Sequence, residues 1–382
     1  MDNHIRKNIH FLHDDKFTDG AIEQFDSYFP GQNLYIIFAS DISRLRYTHP
    51  NTNCLILNLR NRKNTEKILA TITQYSCKNL FIHYIDSYKA VMALSVLAKY
   101  DIKVYWIFYG GDLYGYLQKH KDYPLFDREE DQPRKPLGVN LIKSLKYLVW
   151  FGVTPDHAIQ KLFLKINYFC FWNENDFYLF KDNFEVKAAF KSFIYYKALG
   201  VASEITNTER KYLLINHSAS PTGNHLTLLT TLRNIDLKKI GLTPLLPLSY
   251  GDMEYAHNVS TAFQQNYGDS VEIMKEFVSI ETYQYKLSQV RCAVFGMRRQ
   301  EAAGNIFQLL NMGARVFLRN ENNLLKWLTD RDFIIFSIEN DLKSEENLNQ
   351  LNDDEIAHNR ACYQRYFNLS AYNHMMEHLI ET

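Results

Sequence analysis

Neither sign of charge dominates this sequence. Over 382 residues, 43 Lys and Arg face 43 Asp and Glu, so the formal net charge is zero. A dedicated nucleic-acid binder carries a basic excess, and that class is set aside. Cysteine is sparse, odd in number and scattered: Cys54, Cys77, Cys170, Cys292 and Cys362 form no C-x-x-C pair and no zinc-ligand spacing. The expectation is reduced, packed thiols of a cytosolic protein, with no metal. No apolar run approaches the ~20 residues of a membrane span. Residues 1–7 are polar and the strand-like run after them is too short for an h-region, so no signal peptide is expected. Short repeats and low-complexity tracts are also lacking. The 46% apolar content over this length suffices for two domains with separate cores.

Strand-like and helix-like patterns alternate. Short apolar runs at 5–12, 34–38, 54–57, 80–84 and 103–108 read as strands, with helical periodicity around 19–29, 65–75 and 87–100. That order predicts an α/β fold with a parallel sheet and helices on its faces. The polar, Pro-bearing stretch 124–136 reads as a loop within the first domain, and 176–203 as a polar helical bridge. Alternation restarts with strand candidates at 212–215, 243–248, 271–274, 291–295, 315–318 and 333–336. The expected organisation is a first domain over 1–190, a second over 205–340 and a C-terminal helical segment over 345–382.

Two loops in the second half carry the chemistry. In FGMRRQEAAGNIFQLLNMGARVFL (295–318), a strand runs into a predicted helix whose first turn holds Arg298, Arg299, Gln300 and Glu301. Open N–H groups and the positive end of a helix attract phosphate, and arginine adds charge that pairs with its oxygens. Gly313 stands where such a helix stops. In the other loop, strand 211–215 meets NHSASPTGNH (216–225), rich in small polar groups at the strand's C-terminal end. In an open parallel sheet that edge binds ligands. Solvated arginines and an ordinary turn with its N-cap are the plainer accounts of these two loops.

These two segments, with PLSYGDMEYAHNV (247–259) between them, resemble the bacterial glycosyltransferase family 56. The first half is similar through IHFLHDD (9–15) and WIFYGGDLY (106–114). The resemblance implies a GT-B architecture, two facing Rossmann-like doubly wound domains with the nucleotide on the second and the acceptor on the first. It implies transfer of a deoxy amino sugar such as N-acetylfucosamine from a dTDP-sugar to a polyprenyl-diphosphate-linked saccharide. On this reading the donor is held by Asn216, Ser218, Ser220, Thr222, Asn224, Tyr250, Arg298, Gln300, Glu301 and Asn305, without metal or other cofactor. A sugar-nucleotide epimerase or hydrolase, or a non-catalytic sugar-nucleotide-binding protein of the same fold, is the alternative.

Glycosyl transfer requires stabilisation of the departing diphosphate and, in inverting chemistry, a base for the acceptor hydroxyl. No Asp-x-Asp ends a hydrophobic strand, which disfavours a metal-bridged mechanism, and G-x-G-x-x-G is absent, which counts against a nicotinamide enzyme. Asp112 and Asp15 are the leading base candidates, each following a predicted strand, with Asp14 and His83 behind them. His83, inside FIHYI, has the pattern of a satisfied core histidine. Finally, 141–172 mixes Trp150, Phe151, Phe163, Tyr168, Phe169, Phe171 and Trp172 with Lys143, Lys146, Lys161 and Lys165. Aromatic residues beside lysines suit an anionic membrane surface, here the inner face of the cytoplasmic membrane, while a packed helix pair is the plainer account.

Overall fold

Continuous apolar runs such as Leu34–Ala39 and Leu80–Ile82 are the pattern of strands covered on both faces, and these form the centres of parallel sheets. The structure, a computed structural model, describes residues 7–59, 61–130, 137–195 and 209–380. It divides into two compact units. Unit 1 comprises Met1–Lys121, Lys135–Ala198 and Ser370–Thr382; unit 2 comprises Asp122–Arg134 and Leu199–Leu369.

The chain of unit 1 runs β1 (Asn8–His13), α1 (Thr18–Tyr28), β2 (Asn33–Ala39), β3 (Cys54–Asn58), α2 (Asn64–Tyr75), β4 (Asn79–His83), α3 (Ser87–Leu97), β5 (Lys103–Ile107) and α4 (Gly111–His120). It continues through α5 (Leu137–Phe151), α6 (Pro155–Phe163), β6 (Tyr168–Cys170), α7 (Glu174–Asn183) and β7 (Ala189–Lys191). Among the described residues the sheet is parallel, in the order β3-β2-β1-β4-β5-β6-β7. β6 and β7 depart from the sequence reading, which has helices at 141–172 and a helical bridge at 176–203. Each is three residues long, paired to the sheet's growing edge. Residues 5, 6 and 196–203 of the predicted elements lie outside the described residues, as do 131–136 and the expected boundary at 205.

Unit 2 runs β8 (Tyr212–Ile215), α8 (His225–Leu232), β9 (Thr243–Pro247), α9 (Met253–Tyr267), β10 (Glu272–Met274), α10 (Ile280–Ser288) and β11 (Val290–Phe295). Then follow α11 (Ala303–Met312), β12 (Arg315–Leu318), α12 (Asn323–Thr329), β13 (Phe336–Ser337), α13 (Ile338–Asp341) and α14 (Asp353–Tyr366); α15 (Leu369–Glu377) passes into unit 1. The sheet order is β10-β9-β8-β11-β12-β13, again parallel. Both sheets build outward in one direction, then return to the other side of their first strand. This creates a switch point between β1 and β4 in unit 1 and between β8 and β11 in unit 2, where a crevice opens at the strand C-termini.

Packing places the remaining segments. Tyr372, Met375, Met376 and Leu379 join the core formed by Phe25, Tyr35 and Phe81, which is why the last residues count with unit 1. Lys191 Nζ ties that end down by donating to the His378 carbonyl at 3.0 Å. The segment read as a first-domain loop, 124–136, belongs with unit 2 over its described residues, because its acids are spent there. Asp127 accepts from Arg298 and Arg319, and Glu130 Oε1 accepts from Leu226 N and Thr227 N at 2.7 and 3.1 Å.

Candidate functional site

At the switch point of unit 2, two loops are held at backbone contact. Asn216 and Asn224, both buried and in the left-handed region at φ 56° and 50°, stitch them together. Asn216 Oδ1 accepts from Gly296 N and its Nδ2 donates to Gly223 O, each at 2.9 Å; Asn224 Nδ2 donates to Gly296 O at 2.9 Å. A Cβ on Gly296 would lie 2.2 Å from Gly223 O, so only glycine fits. These two asparagines are therefore consumed in shaping the loops.

Beyond the stitch lies a polar chain. Ser220 Oγ meets Thr222 Oγ1 at 2.7 Å, Thr222 Oγ1 donates to Glu301 Oε2 at 2.9 Å, and Arg299 pairs with Glu301 at 2.9 Å. Burial works against the Glu301 charge, but Arg299, His217 and Thr222 hold its carboxyl below the usual value. Tyr250 stacks on the exposed ring of Phe277, centroids 6.0 Å apart and planes 15° from parallel. Ser218 hydrogen-bonds to Tyr250, and Asn305 to Tyr283. Asp252 is an N-cap, accepting from Glu254 N and Tyr255 N. Gln300 is buried.

The arginine loop corrects the sequence reading. Helix α11 begins at Ala303, after Ala302 at φ 61°, so Arg298, Arg299, Gln300 and Glu301 lie in the loop before it. Asn322 Nδ2 pins that loop by donating to the carbonyls of Met297 and Arg299 at 3.0 and 2.8 Å. Arg298 is turned into a charge network centred on the buried Asp127: its Nε donates to Asp127 at 2.9 Å and Nη1 to the exposed Glu321 at 2.8 Å, while Arg319 reaches Asp127 at 2.8 Å and Glu339 at 2.6 Å. These arginines hold the Asp127 carboxyl below its usual value although burial opposes them. Arg299 is the cation left beside the polar chain.

Three helices start near this edge, and their first turns differ. That of α8 is filled by the Glu130 carboxylate, and that of α9 by Asp252. α11 carries no side-chain cap among the described residues, so its first N–H groups remain available to an anion.

At the switch point of unit 1, His13 ends β1 and Asp86 follows β4. His13 Nε2 lies 2.5 Å from Asp86 Oδ2 and Nδ1 lies 3.3 Å from the Phe38 carbonyl. The other Asp86 oxygen caps α3 by accepting from Tyr88 N and Lys89 N at 2.7 and 3.1 Å. Burial works against the Asp86 charge; His13 and the buried Lys89 nonetheless bring its carboxyl down to about 2. Burial lowers the Lys89 ammonium to about 8. A pocket of about 350 Å³ adjoins His13, with Asp14, Ser40, Arg44, Arg46 and Tyr47 in its wall. Asp14 shapes that wall, its carboxylate accepting from Arg46 N, Tyr47 N and Thr48 N.

Asp112 is placed differently from an open base. It is 4% exposed, and Oδ2 accepts from Trp106 Nε1 at 2.7 Å and Ile85 N at 3.1 Å. Burial raises its carboxyl to about 6. Asp15 is half-buried, and Oδ1 accepts from Phe17 N at 2.9 Å ahead of α1. His83 is a core histidine: His10 Nδ1 meets its Nε2 at 3.1 Å, Tyr195 OH meets its Nδ1, and burial, His10 and Lys89 hold it well below the usual value.

Residues 185–374 match the family model described as 4-alpha-L-fucosyltransferase, glycosyl transferase group 56. Over that span the chain is similar to group 56. No curated protein matches it in sequence. Solved structures extend the likeness to the whole chain. Sucrose-phosphate synthase from Thermosynechococcus elongatus is 12% identical with a TM-score of 0.64, covering 98% of each chain. A glycosyltransferase from Rickettsia africae is 11% identical at a TM-score of 0.58, covering 97% of this chain and 96% of its own. Anabaena HepE in complex with UDP and glucose is 9% identical at 0.58, covering 97% and 98%. At these identities the shared feature is the fold, that of GT-B glycosyltransferases. With the family match, it makes the protein a glycosyltransferase.

For this glycosyltransferase, the structure gathers Ser218, Ser220, Thr222, Tyr250, Glu301 and Asn305 around one sheet edge, beside Arg299. His13 and Asp86 went unread in the sequence. His13 stands inside IHFLHDD, so the end of β1 was the available signal, but its partner is 73 residues away.

Proposed function

We propose that this transferase moves a deoxy amino sugar such as N-acetylfucosamine from a dTDP-sugar to a polyprenyl-diphosphate-linked saccharide in bacterial surface polysaccharide synthesis. The observation that carries the donor side is the uncapped N-terminus of α11 at the β8/β11 switch point, with the Arg299–Glu301–Thr222 chain in the loops around it. First-turn N–H groups and the Arg299 guanidinium offset the charge that grows on the departing diphosphate. Glu301 and Thr222 accept and donate at sugar or ribose hydroxyls. Arg298 supports from behind, as part of the Asp127 network. This reading uses no metal. The fucosyl transfer in the family description supports a 6-deoxyhexose, and HepE bound to UDP and glucose supports a nucleotide-sugar donor.

On the acceptor side His13 serves as the base in place of the buried Asp112, with Asp15 as neighbour. An acceptor hydroxyl that displaces the long Phe38 contact hands its proton to Nδ1, while Asp86 holds Nε2–H. The resulting imidazolium has an acceptor at Asp86. A lipid-linked acceptor brings the enzyme to a membrane surface as a peripheral protein. Incubation with dTDP-sugars, with and without a polyprenyl-diphosphate saccharide, tests the reading. Acceptor-dependent release of dTDP is expected; hydrolysis or epimerisation at the same rate without acceptor overturns it.

A further inference from the structure

Helix α5 carries an apolar face that nothing among the described residues covers. Leu141, Ile142, Leu145 and Val149 are 64%, 70%, 62% and 80% exposed, and Leu148 is exposed as well. At 100° per residue these five fall within an arc of about 120°. The opposite side holds the helix to α3: Tyr147 OH meets Ser87 Oγ at 3.1 Å, and the Phe151 ring packs edge-on against Tyr88. So the exposed stripe is not a frayed core face. Its flank is also ordered by type. Lys146 and then Trp150 follow the stripe around the helix, with Lys146 Nζ 4.0 Å from the centre of the Trp150 ring, while Lys143 lies farther round, its Nζ 5.7 Å from the centre of the Tyr147 ring. No Asp or Glu occurs in α5, whose charged side chains are Lys143 and Lys146.

We propose that α5 docks the transferase on an anionic lipid bilayer, lying in the headgroup layer with its aliphatic stripe inserted, Lys146 against phosphate and Lys143 adding to the attraction from farther round the helix. The charge pattern selects this occupant. A protein partner for an apolar stripe would not require a one-signed border, whereas acidic headgroups do. Trp150 at the boundary fits the same layer, where an apolar ring with a polar edge is favoured. Fifteen residues make a helix about 22 Å long, short of the ~30 Å hydrocarbon core, so α5 lies on the membrane instead of crossing it. Among the described residues no helix is long and apolar enough to span. The neighbouring aromatic residues of the 141–172 stretch, Phe163, Tyr168, Phe169 and Phe171, are buried and take no part.

This rests on the lipid-linked acceptor only for its purpose, and its test needs neither donor nor acceptor. The full chain is sedimented with vesicles of zwitterionic lipid alone and with about a third anionic lipid, at low and high salt. Binding is expected on the anionic vesicles and should weaken with salt, since exposed charge is screened over about 8–10 Å. Leu145→Glu with Val149→Glu should lower partitioning about tenfold or more, with near-UV circular dichroism and thermal unfolding unchanged because both side chains are already in solvent. Lys143→Gln with Lys146→Gln should lower it on anionic vesicles only. Turnover on a water-soluble, short-chain acceptor should be the same in all variants, which separates a failure of docking from a failure of the enzymatic reading. Absence of wild-type pelleting on anionic vesicles at low salt overturns the proposal. So does equal pelleting by the Glu variant, or a wild-type dimer that the Glu variant dissolves without any vesicle binding.

Discussion

Adjacent arginines with opposite environments separate architecture from ligand binding at the level of single residues. Arg298 is committed to Asp127 and Glu321, whereas Arg299 pairs with Glu301 at the loop edge. Arg299→Ala is expected to weaken dTDP binding by about 10–100-fold and thymidine binding little, as a lost charge-assisted phosphate contact is worth about 1.5–3 kcal/mol. Arg298→Ala should leave dTDP affinity nearly intact and lower unfolding stability by about 1–3 kcal/mol. Calorimetry with both ligands and urea denaturation decide between them; the reverse pattern would put Arg298 back against the diphosphate. The base candidates of unit 1 divide the same way. His13→Ala should cut turnover by roughly 10²–10⁴-fold with donor affinity unchanged. Asp112→Asn should stay within a few-fold of wild type, since its amide oxygen can still accept from Trp106 and Ile85. A hundredfold loss in a folded Asp112→Asn protein, with His13→Ala active, would return the base to Asp112.

At the scale of elements, close contact between two strand-end loops is the device that shapes the donor edge. A methyl on Gly296 has to displace the Gly223 carbonyl, so Gly296→Ala should cost about 1–3 kcal/mol and weaken dTDP binding with it. Gly115, inside α4 with open space at its Cβ, is the control: Gly115→Ala should stabilise by about 0.5–1 kcal/mol. Equal effects at the two glycines, read by urea denaturation and dTDP titration, would dismiss the contact as a constraint. Most central strands were legible because a buried parallel strand writes itself as an unbroken apolar run, as in β2, β4 and β11. β6 and β7 were not, because three residues inside an aromatic-rich stretch have no period of their own. The start of α11 was misplaced for a different reason. Ala302 is a good helix former by type, and its left-handed backbone belongs to a loop that Asn322 fixes from the next strand-end turn. The donor loops were visible as small polar residues after a strand; the His13–Asp86 pair depends on β1 and β4 being neighbours, which strand order decides and local sequence does not.

The whole molecule should respond to acid through histidines buried in both units. His10, in unit 1, is lowered to about 3, chiefly by burial, and His83 beside it is lowered well below its usual value by burial, His10 and Lys89. His225, in unit 2, is lowered by burial to about 3; its Nδ1 meets Tyr255 OH at 3.2 Å and its Nε2 has no partner among the described residues. A depressed folded value means that these rings add stability above about 6.5, and lose it as the unfolded chain binds protons below that pH. Asp112 works in the opposite sense. Its raised value favours the folded state at low pH, an advantage complete below 3.8 and lost as pH rises through about 6. Glu130, raised by burial, acts in the same direction as Asp112. Because the histidine window opens first, stability should fall as pH is lowered from 7 to 5.5, approaching a slope of about 1.4 kcal/mol per pH unit for each histidine that the unfolded state protonates. Urea denaturation at half-unit intervals measures that slope, and His225→Gln should remove more than a third of it, because Asp112 and Glu130 offset part of the histidine contribution, while leaving the contribution from unit 1. A slope near zero over this interval would mean that the buried rings titrate alike in the folded and unfolded chains, and that their burial does not exclude the proton.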